Sequence, residues 1–103
     1  MTESEFNEMI DSTFEALEMG LVNEVVPAGT ALEAARALAG RIVANGPLAV
    51  AVSKRVVLES ANWSADEMWQ KQQELVMPVF TSEDAIEGSV AFAEKRAPNW
   101  KGK

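Results

Sequence analysis

The 103-residue chain is 48% hydrophobic, carries a formal net charge of -7 and contains neither cysteine nor histidine. That length allows one domain with a hydrophobic core and is too short for two, and the missing residue types exclude disulfides, thiolate chemistry and imidazole acid–base or metal chemistry. The acidic balance argues against a nucleic-acid partner, whose affinity comes from Lys and Arg on phosphates.

No apolar run reaches the roughly 18 to 20 residues of a membrane span. The acidic N-terminus also lacks the basic and apolar regions of a secretory signal, so a cytoplasmic location and no membrane partner are the default expectations.

Residues 1–19 read as a helix. Thr2 with Glu5 fits a capping box, and Phe6, Met9, Ile10, Phe14 and Leu17 recur at helical spacing, while Ser12 and Thr13 predict a break. Gly20 fits a helix C-terminal cap. Residues 21–26 are short, β-branched and closed by Pro27, which predicts an extended segment or isolated strand with no partner in the chain. Thr30 with Glu33 is a second capping box, opening a helix to about Ala44 whose apolar stripe is Leu32, Ala35, Leu38, Ala39, Ile42 and Val43. Asn45-Gly46 ends it, and Pro47 suits the first turn of the next helix.

That next helix, Leu48 to about Ser60, is apolar around much of its circumference, which predicts contact on two sides. Ser64 with Glu67 caps a helix through Met68, Trp69, Leu75 and Val76 that Pro78 is expected to close. A final helix starts at Thr81 or Ser82, has Glu83 and Asp84 in its first turn and Lys95 and Arg96 in its last, and is stopped by Pro98. The sum is a mainly α chain of four to five helices with one short extended segment, forming a single helical domain over residues 1–103.

Charge is unevenly placed. Eight acids and no base precede Arg36, whereas Lys95, Arg96, Lys101 and Lys103 gather at the other end with no acid among residues 95–103. The acidic arm reads as a solvated face. The basic end reads either as a complement to the helix dipole or as a small electropositive patch suited to a phosphate.

The run Ser82-Glu83-Asp84-Ala85-Ile86-Glu87-Gly88, continuing through Ala91-Phe92, Glu94-Lys95-Arg96, Pro98, Trp100 and Gly102, resembles the C-terminal helix of the crotonase superfamily, the enoyl-CoA hydratases and isomerases. Gly20 to Val26 is similar to that family's segment after its central spiral. Ala34 to Leu38 and Ile42 to Pro47 resemble the next helix and its turn, and Lys54 falls where the family has a lysine. The likeness covers roughly residues 15–102. Residues 10–17 match the family's lead-in only loosely, and residues 1–9 match no part of it.

The resemblance implies the C-terminal helical region of a crotonase fold, without the N-terminal spiral core that holds the oxyanion-hole N–H pair and the acid/base glutamates. It therefore implies no catalytic residue in this chain, no metal ligand, and no cofactor beyond coenzyme A carried as the family's thioester substrate. It also implies a homo-oligomer or a crotonase-core partner. For acyl-CoA it implies Phe92 lining the pocket and Lys95 approaching the nucleotide phosphates; read from the residues alone, Phe92 is a core side chain and Lys95 a helix-end cation. Glu83, Asp84, Glu87 and Glu94 read as an acidic first turn and an exposed face, Trp63 and Trp69 as packing anchors, Trp100 as a pin for the tail, and Met9, Met19, Met68 and Met77 as core or interface filler.

Overall fold

The structure, a computed structural model, describes all 103 residues and contains five helices and no strand: α1 (Glu3–Glu18), α2 (Ala31–Val43), α3 (Pro47–Ser60), α4 (Ala65–Phe80) and α5 (Glu83–Glu94). The chain divides into two compact units, Met1–Leu38 and Ala39–Lys103.

In the first unit α1 opens with the expected capping box. The Thr2 hydroxyl accepts from the Glu5 N–H, and the Glu5 carboxylate accepts from the Thr2 N–H at 2.6 Å. The predicted break at Ser12 and Thr13 does not occur. Both hydroxyls donate to the Met9 carbonyl, at 2.9 and 2.7 Å, so these residues satisfy themselves within the helix. At the C-terminus, Gly20 with φ of 75° lets its own N–H reach the Leu17 carbonyl while the Leu21 N–H reaches Ala16, closing the helix in a Schellman turn. Residues 21–26 follow as irregular chain outside any helix or strand. The box expected at Thr30 and Glu33 is replaced: the Thr30 hydroxyl donates to the Pro27 carbonyl at 2.7 Å and α2 begins without it.

In the second unit, Asn45 closes α2 by donating its side-chain amide to the carbonyls of Arg41 and Ile42. Gly46 is the N-cap of α3 and Pro47 its first residue, where the missing N–H costs nothing. Ser64 and Glu67 form the predicted capping box of α4. Pro78 does not close α4, which runs two residues further to Phe80. So close to the C-terminus a missing N–H removes one bond without breaking the remaining turn. Helix α4 packs against both α3 and α5.

The expected hydrophobic core is not formed within the chain. Ala91, 1% exposed, is the only buried apolar residue, and twenty-one large apolar side chains are exposed. Trp69 is 68% exposed and Met9, Met19, Met68 and Met77 are all exposed, so none of them anchors packing inside this chain. The cause is geometric. Three short helices laid side by side can cover only the stripes that face one another, so Leu48, Val52 and Val56 of α3 are half-buried while Val57 and Leu58 stand in solvent.

Candidate functional site

The site is built on α5 and the segment that follows it. Ser82 caps the helix, accepting from the Ala85 N–H at 3.1 Å, so Asp84 lies in the positively polarised first turn. Asp84 is not a surface carboxylate, as the sequence suggested. It is 4% exposed, its Oδ1 accepts from the Lys101 N–H at 2.7 Å and its Oδ2 from the Gly102 N–H at 2.8 Å, and its own N–H donates to the Lys103 carbonyl. One turn on, Glu87 accepts both Nη groups of Arg96, at 2.7 and 3.0 Å, and the Asn99 N–H at 2.7 Å. The Arg96 guanidinium, followed by the Asn99 N–H, pulls the Glu87 carboxyl from 4.5 down to about 2, and Glu87 with Glu94 raises the pKa of Arg96 further.

Trp100 completes the return of the chain. Its indole Nε1 donates to the Ala44 carbonyl at 2.9 Å, and its ring lies over Gly46 and Gly88, so it pins the tail as read from the sequence. Residues 96–102 thus form a strap tied to α5 and to the α2–α3 turn. Apart from Glu94, which pairs with Arg96, its side-chain-mediated ties to α5 and the turn span 9 to 56 positions in sequence, and for that reason no local pattern reveals Asp84 or Glu87 as its anchors.

Lys95 and Phe92 lie outside this web. The helix stops at Glu94, earlier than its sequence predicts, and Lys95 takes the left-handed conformation with φ of 54°. Its N–H reaches Phe92 and the Arg96 N–H reaches Ala91, the bonding of a Schellman turn. Arg96 is held by Glu87 and Glu94, and Lys101 and Lys103 lie beside Glu83. The terminal patch is therefore largely neutralised, and Lys95 is its one base without a carboxylate partner. Phe92 is no core residue: it is 87% exposed. It borders an open groove of about 810 Å³ whose walls include Leu48, Phe80, Ile86, Val90 and Trp100.

An unpaired ammonium three residues from an exposed aromatic, at the edge of an apolar groove, can hold an anion attached to an apolar or aromatic body. The carboxylates with shifted acidity, Glu5, Glu67 and Glu87, are all shifted downward by hydrogen bonds to Thr2, to Ser64 and to Arg96 respectively. Such groups are fixed anions at neutral pH, unsuited to proton transfer there. No group of three potential metal ligands occurs, and no helix is long and apolar enough to cross a membrane.

A helical module with a capped, strapped final helix and an open apolar groove corresponds to the C-terminal part of acyl-CoA enzymes of the enoyl-CoA hydratase type. The model of the enoyl-CoA hydratase/isomerase family matches residues 9–103, and the chain belongs to that family. It is 47% identical over 89 residues to an enoyl-CoA hydratase of Mycobacterium tuberculosis, covering 86% of this chain and 34% of that protein. It is 42% identical over 93 residues to carnitinyl-CoA dehydratase of Proteus mirabilis, covering 86% of this chain and 36% of that one. The crystal structure of an enoyl-CoA hydratase from Mycobacterium tuberculosis superposes with a TM-score of 0.86 at 54% identity, over 88% of this chain and 36% of the other. The chain therefore spans about a third of the length of the relatives it matches.

Proposed function

We propose that this chain supplies the helical, CoA-facing part of an enoyl-CoA hydratase/isomerase-type site, with Phe92 against the ligand's apolar body and Lys95 on its phosphates, and that it does not carry complete catalytic machinery by itself. The observation behind this is the pairing of an exposed Phe92 with the one terminal base that no carboxylate neutralises. A crotonase core or further copies of the chain would cover the exposed apolar faces. Calorimetric titration with coenzyme A tests the site: Lys95→Ala weakens binding, added salt weakens it further, and equal affinity for the form lacking the 3'-phosphate removes the nucleotide-phosphate role. Hydration of crotonyl-CoA by the isolated chain would refute the claim about machinery.

A second reading, an autonomous helical self-association module without catalysis, draws on Val57, Leu58, Phe80 and Ile86, all more than 60% exposed on one unit. It predicts a stable oligomer by light scattering at micromolar concentration and no change in melting temperature with coenzyme A. A monomer sinks it.

A further inference from the structure

Glu94-Lys95-Arg96-Ala97 is a run of strong helix formers, and its sequence predicts that α5 continues through Arg96. The structure ends the helix at Glu94 and places Lys95 in the left-handed region, where a side chain is strained. Local preference and observed geometry disagree at this one turn, and such a residue persists only where its surroundings over-determine it. The strap provides that determination. Arg96 is clamped between Glu87 and Glu94, the Asn99 N–H is on Glu87, the Trp100 indole is on Ala44, and the Lys101 and Gly102 N–H groups share the buried Asp84 carboxylate.

We propose that the end of α5 is a two-state device in which strap docking on Asp84 stops the helix at Glu94, and strap release lets it grow through Lys95 and Arg96. Two hydrogen-bond sets compete for the same chain. In the docked state the Arg96 N–H goes to Ala91, the long bond of the Schellman turn, while the Lys95 N–H is shared between Ala91 and Phe92; in the released state Lys95 keeps Ala91 alone and Arg96 turns to Phe92, the ordinary bonds of a continued helix, until Pro98 prevents further growth. The left-handed residue is relieved only in the second state. The change carries the Lys95 side chain to a different azimuth around the helix end, so the strap sets where the one unpaired terminal ammonium stands. The inference rests on the strap and the helix end and is independent of any role of Lys95 toward coenzyme A.

NMR of the intact chain without ligand tests it, reading Cα chemical shifts at Lys95 and Arg96 together with hydrogen exchange at the amides of Lys101 and Gly102. The native chain should show a left-handed shift at Lys95 and protected strap amides. Asp84→Ala should deprotect both amides and give Lys95 and Arg96 helical shifts while α3 amides stay protected. Freed strap amides with Lys95 still left-handed would overturn the proposal. Should Asp84→Ala also unfold α5, Lys95→Gly decides the matter separately. Glycine removes the strain of the docked state and disfavours helix growth, so protection at Lys101 and Gly102 should rise by about five- to thirtyfold. Unchanged protection in that variant also overturns the proposal.

Discussion

The indole of Trp100 lies directly over Gly88: a Cβ placed on that glycine would stand 3.1 Å from Trp100 Cη2 and 3.3 Å from Cζ3. Mid-helix glycine normally costs about 1 kcal/mol relative to alanine, so its presence in α5 answers a packing requirement. Gly88→Ala should bring none of that gain and should lower the melting temperature by displacing the ring and the strap with it. In a Trp100→Ala background the same substitution should stabilise. A double-mutant cycle by thermal denaturation measures the difference.

Gly40 in α2 provides the contrast, since a Cβ there meets nothing within 4 Å. Gly40→Ala should raise stability by about 0.5–1 kcal/mol through helix propensity alone, read by urea denaturation. A loss in this variant would mean that something outside the chain occupies the space beside Gly40.

Glu87 makes stability depend on acid. Its carboxyl is lowered from 4.5 to about 2 in the fold, so the folded state favours its anion. The associated stability is fully present above about pH 4.5 and disappears as pH falls toward 2. Glu87→Gln should be less stable than the native chain at neutral pH, and the difference in melting temperature should shrink steadily between pH 4.5 and 2. A constant difference across that range would show that the Arg96 pairing does not depend on the charge.

Two similar-looking caps should behave differently. Ser64 accepts the Glu67 N–H, so Ser64→Ala should cost about 1 kcal/mol. The Thr30 hydroxyl instead donates to Pro27, so Thr30→Ala should leave the start of α2 unaffected and cost less. Chemical denaturation of the two variants compares them.

What the sequence revealed follows the range of the interactions. The caps at Thr2, Ser64 and Ser82, the turn at Gly20 and the start at Pro47 all involve partners within five positions, and each was legible. The early end of α5 was not, because Lys95 and Arg96 are good helix formers overruled by contacts that reach Glu87, Asp84 and Ala44 across 9 to 56 positions. Asp84 looked like an ordinary first-turn acid for the same reason. Ser12 and Thr13 misled in the opposite direction: their propensity predicts a break, and their hydroxyl bonds to Met9 remove it. The exposed state of Phe92 was beyond periodicity altogether, since an apolar residue at helical spacing looks the same whether its own chain or another covers it. Phe92 with Lys95 was instead reached through family resemblance.

The Asn45-Gly46 turn also bears on how the protein ages. Asn–Gly is the dipeptide most prone to spontaneous deamidation, through attack of the glycine nitrogen on the asparagine side chain. Here two hydrogen bonds from its side chain restrain the Asn45 amide against the end of α2, while the neighbouring Ala44 carbonyl and Gly46 seat the Trp100 ring. Asn45 should therefore deamidate far more slowly in the folded chain than in a peptide of the same sequence, as peptide mapping after prolonged storage can measure. Once formed, an isoaspartate at this position would add a methylene to the backbone beneath the indole, and chemical damage in one loop would loosen the distant end of the chain.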